Sequence, residues 1–154
     1  MKIFIGSDHG GYQLKESLKT FLVELGHEVR DFGCHGKDAC DYPDFAFLVA
    51  QAVAGASRVS ADCRGIMIDG IGQASAIVAN KLPGIRAIAG YDAFGVKSSR
   101  VHNDANVLCL GGQVLGPGLA KDLAKLWLET DYAGGRHQQR LDKITAVENR
   151  VREG

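Results

Sequence analysis

Short apolar runs of strand type alternate along the chain with longer segments of helical periodicity. The first run, residues 2–6, is closed by a glycine-rich loop and followed by apolar residues at helical spacing up to Leu25, with Gly26 as a C-terminal stop. The same order recurs and predicts further strands at 27–32, 65–68, 85–89 and 106–110, and further helices at 43–55, 73–81, 92–100 and 119–127. Such alternation predicts a parallel sheet with helices on both faces.

The predicted fold is therefore α/β, a Rossmann-like three-layer α/β/α sandwich around a five-stranded parallel sheet. In open sheets of this kind a ligand binds beyond the carboxyl ends of the strands, where the strand order reverses. The loops at 8–9, 69–72 and 111–112 each follow a predicted strand. We expect these three loops to meet at that edge of the sheet.

Length and charge narrow the class of protein. The chain has 154 residues, 45% of them hydrophobic, which predicts one domain over 1–154. Its 18 basic and 18 acidic residues form no block of like charge, which argues against nucleic acid and membrane surfaces as partners. No apolar run reaches the roughly 20 residues that span a bilayer and no signal-peptide pattern is present, so a cytoplasmic protein is expected. The four cysteines lack zinc-type spacing, so free thiols and no metal site are expected.

Two helical segments carry more apolar surface than one sheet needs. The segment from Pro43 to Gly55 is apolar nearly all round, and a C-terminal helix predicted at about 136–152 has an apolar side next to a basic one. Contact between subunits would bury this surface, so we expect a homodimer or homotetramer in which the C-terminal helix packs on a partner subunit. The alternative is a monomer in which both helices only cover the core.

The segment from Gly65 to Lys81 predicts a ligand site. An apolar strand delivers the carboxylate of Asp69 to its end, Gly70 and Gly72 allow a tight turn, and an alanine-rich helix begins at once. N–H groups at such a helix start favour negative charge. Asp69 is therefore predicted to be a base beside an anion cradle, and the alternative is that Asp69 only caps the helix.

Three further groups of polar residues are candidates for chemistry. Asp8 and His9 follow the first strand and could orient a hydroxylated ligand or move a proton, although Asp8 could equally be a helix cap. His102 ends a predicted helix and is either a general acid or base or a C-terminal cap. Arg136 and Arg140 lie four residues apart after two glycines, which suits a clamp for phosphate, with a solvated basic face as the alternative.

Several strings of the sequence match motifs of a known enzyme family. They are Ser7-Asp8-His9-Gly10-Gly11, Asp41-Tyr42-Pro43, Gly70-Ile71-Gly72 with Ala79-Asn80-Lys81, Gly84-Ile85-Arg86-Ala87, the run 99–108 that contains His102-Asn103-Asp104, and Gly134-Gly135-Arg136-His137-Gln138-Gln139-Arg140. In these strings, which span almost the whole chain, the sequence resembles ribose-5-phosphate isomerase B and its relatives, the galactose-6-phosphate and allose-6-phosphate isomerases. The last two strings are specific enough that chance is not an explanation.

The resemblance implies interconversion of an aldose and a ketose phosphate, without metal or cofactor, by proton transfer between C1 and C2 through a cis-enediolate. It implies that His102 helps to open the furanose ring. It assigns substrate contacts to Asp8, His9 and Asn103, the enediolate oxygens to the backbone of Gly70, Ile71, Gly72, Gln73 and Ala74, and the phosphate to Arg136 and Arg140. It also implies that the neighbouring subunit of a dimer completes the site.

The sequence departs from the family at four positions in the pocket. Asp69 stands where many relatives have a cysteine base, and Ser75 stands where others have a glutamate base. A carboxylate is the commonest base for taking a proton next to a carbonyl, so Asp69 is predicted to substitute. Ile71 replaces a threonine or serine, and Gln113 replaces a phosphate-binding arginine. Loss of that arginine would weaken phosphate binding by about 1.5 to 3 kcal/mol if nothing replaces it.

The default prediction is isomerisation of ribose 5-phosphate to ribulose 5-phosphate. Because the changes at Asp69, Ile71 and Gln113 concern the pocket, a tetrose phosphate, a deoxy sugar phosphate or a hexose 6-phosphate is the alternative substrate. A catalytically inactive paralogue that binds sugar phosphate is a second alternative, and the presence of His102 argues against it. A nucleotide-binding module is weaker still, since no GxGxxG motif opens the first helix.

Overall fold

A parallel sheet of five strands forms the centre of the molecule in the computed structural model, which describes residues 1–60 and 62–153. The strands are β1 (Lys2–Ser7), β2 (Glu28–Asp31), β3 (Cys63–Asp69), β4 (Ala87–Ala89) and β5 (Val107–Gly111), in the sheet order β2-β1-β3-β5-β4. The α-helices are α1 (Tyr12–Glu24), α2 (Tyr42–Ser57), α3 (Gln73–Ala79), α4 (Ala93–Asn103), α5 (Pro117–Glu129) and α6 (Gln138–Glu153). The predicted α/β class and five-stranded parallel sheet are confirmed.

Each face of the sheet packs against its own layer of helices. On one face, Leu18 of α1, Val96 of α4 and Trp127 of α5 are fully buried in one hydrophobic cluster with the strands. On the other face, Val49 of α2 and Ala79 of α3 are fully buried in a second cluster. The strand residues that alternate between these clusters, such as Ile66 and Met67 in β3, explain why the strands read as continuous apolar runs.

The observed boundaries differ from the predicted ones mainly at the ends of elements. Strand β4 has only three residues, because the chain from 82 to 85 forms a turn closed by the bond from Ile85 N–H to the Leu82 carbonyl, 3.2 Å. The C-terminal helix begins at Gln138, and a 3₁₀ turn, Gly135–His137, precedes it. Gly134 and Gly135 adopt φ values of 61° and 55°, which a right-handed α-helix does not accommodate. Arg136 and Arg140 are therefore on successive elements and not on one α-helix.

The strand order reverses between β1 and β3. The chain passes from β1 outward to β2, and then returns to place β3 on the other side of β1, with Ser7 opposite Ile68. Asp8 and Asp69, the next residues on each strand, therefore flank the switch point at the carboxyl edge. This is the position at which α/β proteins of this architecture bind their ligands.

An ion cluster attaches α1 to the end of β2 at the same edge. The ammonium of Lys15, whose side chain is fully buried, lies 2.6 Å from Asp31 and 3.1 Å from Glu16, and Lys19 lies 2.6 Å from Asp31. Burial opposes ionisation of Asp31, but the hydrogen bonds from Lys15 and Lys19 outweigh burial and lower the pKa of this carboxyl. Asp31 Oδ1 also accepts a hydrogen bond of 2.8 Å from Gly33 N–H, so the cluster fixes the loop that follows β2.

Helices α2 and α6 expose apolar side chains. On α2, Phe47 and Leu48 are 44% and 37% exposed, while the opposite side of the helix is buried. On α6, Leu141 is buried, but Ile144, Val147 and Val151 are between 49% and 77% exposed. Within residues 1–60 and 62–153, no helix has both the length and the apolar character needed to cross a bilayer.

Candidate active site

Asp69 ends β3, and its side chain is only 4% exposed. Its Oδ1 accepts hydrogen bonds from the backbone N–H groups of Ile71, 2.8 Å away, and of Gly72. Its Oδ2 accepts a bond of 3.0 Å from the N–H of Ser75 and another from the Ser75 hydroxyl. A carboxylate offers about four acceptor positions, so these donors fill them.

The carboxylate of Asp69 thus occupies the N–H cradle at the start of α3. These hydrogen bonds show that Asp69 caps the start of α3, which is the alternative that the sequence left open. Two of the backbone groups expected to hold enediolate oxygens, those of Ile71 and Gly72, donate to Asp69 instead. That Asp69 takes the substrate proton stays a prediction.

Glycines bring the loops after β1, β3 and β5 into direct backbone contact. Gly72 has a φ of 93°, and a Cβ atom added there would lie 2.9 Å from the carbonyl carbon of Leu110. A Cβ atom at Gly112 would lie 2.5 Å from the carbonyl oxygen of Gly10. Side chains at these positions would force the loops apart, so the prediction that the loops meet at the carboxyl edge is confirmed.

Asp8, the residue after β1, is 8% exposed. Its Oδ1 accepts a hydrogen bond of 3.0 Å from Gly11 N–H, the backbone of Gly10 makes a further contact with the carboxyl, and no side chain among the described residues donates to it. Burial raises the pKa of Asp8, and the negative charge of Asp69 acts in the same direction, while the N–H of Gly11 and the charge of His9 oppose the rise. The result is a buried carboxyl with raised proton affinity whose hydrogen-bond donors, among the described residues, are backbone groups of its own loop.

His9 is exposed beside Asp8 and faces the loop after β2. Its Nδ1 lies 3.1 Å from the carbonyl oxygen and 3.2 Å from the backbone nitrogen of Cys40. This contact leaves the other ring nitrogen, Nε2, without a hydrogen bond to the described residues. His9 is thus at the edge where substrate contacts were predicted.

All four cysteines are free thiols.

Ile71 and Gln113 also lie at this edge, as the sequence predicts. The side chain of Ile71 is 48% exposed, and its carbonyl oxygen accepts a hydrogen bond of 2.8 Å from the Tyr91 hydroxyl. Gln113 is so close to Gly70 that a Cβ atom added there would lie 3.6 Å from its amide carbon. Tyr91 was not predicted as a site residue, although its place just after β4 at the carboxyl edge was a usable signal.

His102 and Asn103 lie at the other end of the molecule, in the last turn of α4. Helix α4 runs back from the carboxyl edge to the amino edge, where Asp104 ends it with a φ of 45°. The carboxylate of Asp104 accepts hydrogen bonds of 2.7 Å from Arg100 and 2.9 Å from Arg86. These bonds fix the position of the two residues before it.

The Arg136 to Arg140 segment lies next to His102. The rings of His102 and His137 stack with centroids 4.5 Å apart and 24° between their planes. His137 is 7% exposed, and its Nδ1 has no hydrogen-bond partner among the described residues. Burial lowers the pKa of His137, and the positive charges of His102, Arg136 and Arg140 lower it further. Both arginines are exposed and make no ion pair within the described part of the chain. The sequence assigned no role to His137.

One chain does not bring the two groups of residues together. The six residue steps from Asn106, which pairs with Arg86 beside His102, to Gly112 at the carboxyl edge cover about 20 Å at about 3.3 Å per residue. A sugar phosphate is about half that length, so it cannot contact Asp8 and His102 of the same subunit at once.

Comparison with known proteins agrees with this arrangement of fold and motifs. Residues 3–144 match the family described as Ribose/Galactose Isomerase. The chain belongs to this family. It is 46% identical over 149 residues to the ribose-5-phosphate isomerase B of Escherichia coli (strain K12), with 97% of each sequence covered.

Solved structures of ribose/galactose isomerases match the fold closely. The ribose-5-phosphate isomerase B of Clostridium thermocellum superposes with a TM-score of 0.93 at 48% identity, and the match covers 98% of this chain and 99% of that one. The enzyme of Mycoplasma genitalium, solved with bound ribulose 5-phosphate, matches with a TM-score of 0.91 at 38% identity and 96% of both chains. Membership of the family confirms the prediction of an isomerase.

Proposed function

We propose that this ribose/galactose isomerase interconverts ribose 5-phosphate and ribulose 5-phosphate in the cytoplasm. The observation that carries the proposal is the pair of buried carboxylates, Asp8 and Asp69, at the strand switch point of a family whose relatives include ribose-5-phosphate isomerase B. A buried carboxylate is suited to take the proton from the carbon next to a carbonyl. The reaction moves protons within one molecule, so no redox cofactor is needed.

The amino edge supplies the groups that the other end of the substrate requires. Ribose 5-phosphate is mainly a closed ring, and His102, exposed at a helix end, would protonate the ring oxygen as the ring opens. Arg136 and Arg140 make no ion pair with any residue that the structure describes, and they flank the buried ring of His137. Their planar guanidinium groups would bind the phosphate, and Asn103 would bind a sugar hydroxyl.

The proposed enzyme works as a homodimer or a higher assembly. A substrate can reach both groups only if the amino edge of one subunit lies over the carboxyl edge of another, because about 20 Å separates the edges within one chain. The exposed apolar side chains of α2 and α6, among them Phe47 and Val151, give such an assembly surface to bury. In this arrangement each dimer has two sites, and each site uses both chains.

A different sugar phosphate is the second candidate, and the exposed side chain of Ile71 favours it. Where relatives carry a hydroxyl, Ile71 presents an apolar group to the site, and Gln113 presents a neutral amide in place of an arginine. Both changes reduce the polar contacts available to a pentose phosphate. A tetrose phosphate, a deoxy sugar phosphate or a hexose 6-phosphate would then be preferred.

Deuterium uptake in heavy water tests the proposal. The protein is incubated with sugar phosphates of four to six carbons, and exchange at C1 or C2 is followed by NMR, with unphosphorylated ribose as the control. We expect the fastest exchange with ribulose 5-phosphate and ribose 5-phosphate. Faster exchange with another sugar phosphate would transfer the assignment to that substrate. Binding of several sugar phosphates without exchange of any would identify an inactive paralogue.

A further inference from the structure

We infer that Asp8, and not Asp69, is the base that moves the proton between C1 and C2, and that Asp69 is a positioning residue. This inference rests on the proposed function, because it concerns the same proton transfer. It reverses the division of tasks that the sequence predicts for the two carboxylates. The hydrogen bonds of the two side chains carry the inference.

The two carboxylates differ in how many acceptor positions remain open. Asp69 accepts bonds from Ile71, Gly72 and both donors of Ser75, so a proton could reach it only after one of these bonds breaks. Each such bond to a charged acceptor contributes about 1.5 to 3 kcal/mol. Asp8 accepts one bond of ordinary geometry, from Gly11 N–H to Oδ1, and a further backbone contact from Gly10, and no side chain among the described residues donates to it. Protonation of Asp8 therefore disrupts fewer hydrogen bonds of the loop than protonation of Asp69.

Asp69 also has an identifiable effect on Asp8. The residues before them, Ser7 and Ile68, are register partners on adjacent strands, which lie about 4.8 Å apart. The negative charge of Asp69 acts at this range to raise the pKa of Asp8, which favours the protonated form of that carboxyl. Asp8 therefore has the higher proton affinity that a base for carbon acids requires. Asp69 supplies charge and loop geometry, and it does not contact the reacting carbon.

The step is balanced with the groups present. The Asp8 carboxylate removes the proton from C2 of the open-chain aldose. The electrons of that C–H bond form the C1=C2 double bond, and the carbonyl oxygen O1 becomes the oxyanion of the enediolate. The O2 hydroxyl then loses its proton to O1, a C2=O2 carbonyl forms, and C1 takes the proton back from Asp8. The enzyme ends in its starting protonation state, and nothing is oxidised or reduced overall.

Chemical rescue tests the inference. Asp8→Ala and Asp69→Ala are compared with the wild-type protein for deuterium exchange at C1 of ribulose 5-phosphate, with and without added formate. We expect Asp8→Ala to lower the exchange rate by about 10³-fold. Formate, as a small replacement base, should then raise the exchange rate of this variant by at least about tenfold. Formate is not expected to change the rate of Asp69→Ala. Asp122→Ala is the matched control, because Asp122 is an exposed carboxylate in the middle of α5, between the two edges of the sheet.

The outcomes separate this inference from the proposed function. If the wild-type protein exchanges no proton of ribulose 5-phosphate, the proposed substrate fails, and the rescue is repeated with whichever sugar phosphate does exchange. If the wild-type protein exchanges, rescue of Asp69→Ala, or absence of rescue in an Asp8→Ala protein that still binds substrate, overturns the inference. Should Asp69→Ala fail to fold, Asp69→Ser replaces it, because the serine hydroxyl can retain part of the cap.

A second measurement needs no catalysis. Because burial and the charge of Asp69 raise the pKa of Asp8, its ionised form destabilises the folded state at neutral pH. Asp8→Asn keeps the acceptor for Gly11 N–H and removes the charge, so it is expected to raise the melting temperature at pH 7. This gain should vanish below the unfolded pKa of about 3.9. Asp69→Asn should lower the melting temperature, because an amide would face N–H donors. The opposite signs would contradict the assignment of the two carboxylates.

Discussion

The carboxyl edge and the amino edge of the sheet differ in how complete they are within one chain. At the carboxyl edge, Asp8 and Asp69 are at least nine-tenths buried, and the loops that hold them meet backbone to backbone. At the amino edge, His102, Arg136 and Arg140 are exposed, and the arginines have no partner within the described residues. The carboxyl edge is therefore nearly complete as a site within one chain. The amino edge presents charged groups that still need a ligand or a second chain.

The difference indicates where binding energy and chemistry come from in this fold. Buried groups on loops that pack backbone to backbone hold fixed positions, which proton transfer requires. Exposed cations do little for the stability of their own subunit, so their role is better explained by a ligand or a second chain. The two edges therefore complement each other only between subunits.

At the incomplete edge, the largest expected effect comes from His102. His102→Ala should lower the rate of ribose 5-phosphate isomerisation by about 10² to 10³-fold, because ring opening loses its acid. Ribulose 5-phosphate cannot close a five-membered ring, since its O5 carries the phosphate. Deuterium exchange at C1 of ribulose 5-phosphate should therefore fall by less than about tenfold. Equal losses in the two assays would mean that His102 acts in the proton transfer itself.

The next effect tests how rigidly the complete edge is built. Among the described residues, Asp31→Asn leaves the fully buried ammonium of Lys15 with only the partly exposed Glu16 as an anionic partner, and it should cost about 3 kcal/mol of unfolding free energy in urea. The pKa of Asp31 is lowered in the folded state. Its stabilisation is therefore present above the unfolded pKa of about 3.9 and is lost as the pH falls through the folded pKa.

A surface pair on the same strand is the control for Asp31. Glu28 lies 3.2 Å from Lys2, and both side chains are largely exposed. Glu28→Gln should change the unfolding free energy by less than about 1 kcal/mol. An Asp31→Asn protein as stable as Glu28→Gln would show that the ion cluster does not anchor the loop after β2.

A smaller effect is expected from the arginines of the incomplete edge. Arg136→Ala and Arg140→Ala should each raise KM by about 10- to 100-fold, which corresponds to the roughly 1.5 to 3 kcal/mol of a charge-assisted hydrogen bond. Because neither residue packs in the core, the melting temperature should stay within about 1 °C of the wild-type value. Arg150→Ala, on the exposed part of α6, is the matched control for both changes. A KM unchanged in both variants would remove the phosphate clamp from the proposal.

The sequence predicted the complete edge much better than the incomplete one. The segment from Gly65 to Lys81 reports its strand, turn and helix through local signals, namely an apolar run, two glycines and a stretch of small residues. The hydrogen bonds of Asp69 were not predictable in number, because they depend on where Ser75 places its hydroxyl and its N–H after the turn. A local sequence pattern predicts the strand, turn and helix, but it does not predict how many hydrogen bonds each oxygen of Asp69 accepts.

The amino edge depends on chain direction, which no motif encodes. His102-Asn103-Asp104 and the segment from Gly134 to Arg140 are recognisable as strings, but their distance from Asp8 follows from the return path of α4 and α5 across the sheet. The stacking of His137 on His102 joins two segments more than thirty residues apart. In the sequence, His137 stands out only as part of a basic string, and that string gives no indication that its ring is buried.

Mixing two inactive variants tests most directly whether the site joins opposite edges of two subunits. Asp8→Ala and His102→Ala are each expected to retain at most about 1% of wild-type activity towards ribose 5-phosphate. A heterodimer of the two would contain one site with both groups intact, so a random mixture should recover about a quarter of wild-type activity per subunit. A heterodimer of wild-type protein with the Asp8→Ala/His102→Ala double variant should be inactive, because each of its sites lacks one group. No recovery in the first heterodimer, together with half activity in the second, would place the whole site within a single chain and contradict the account.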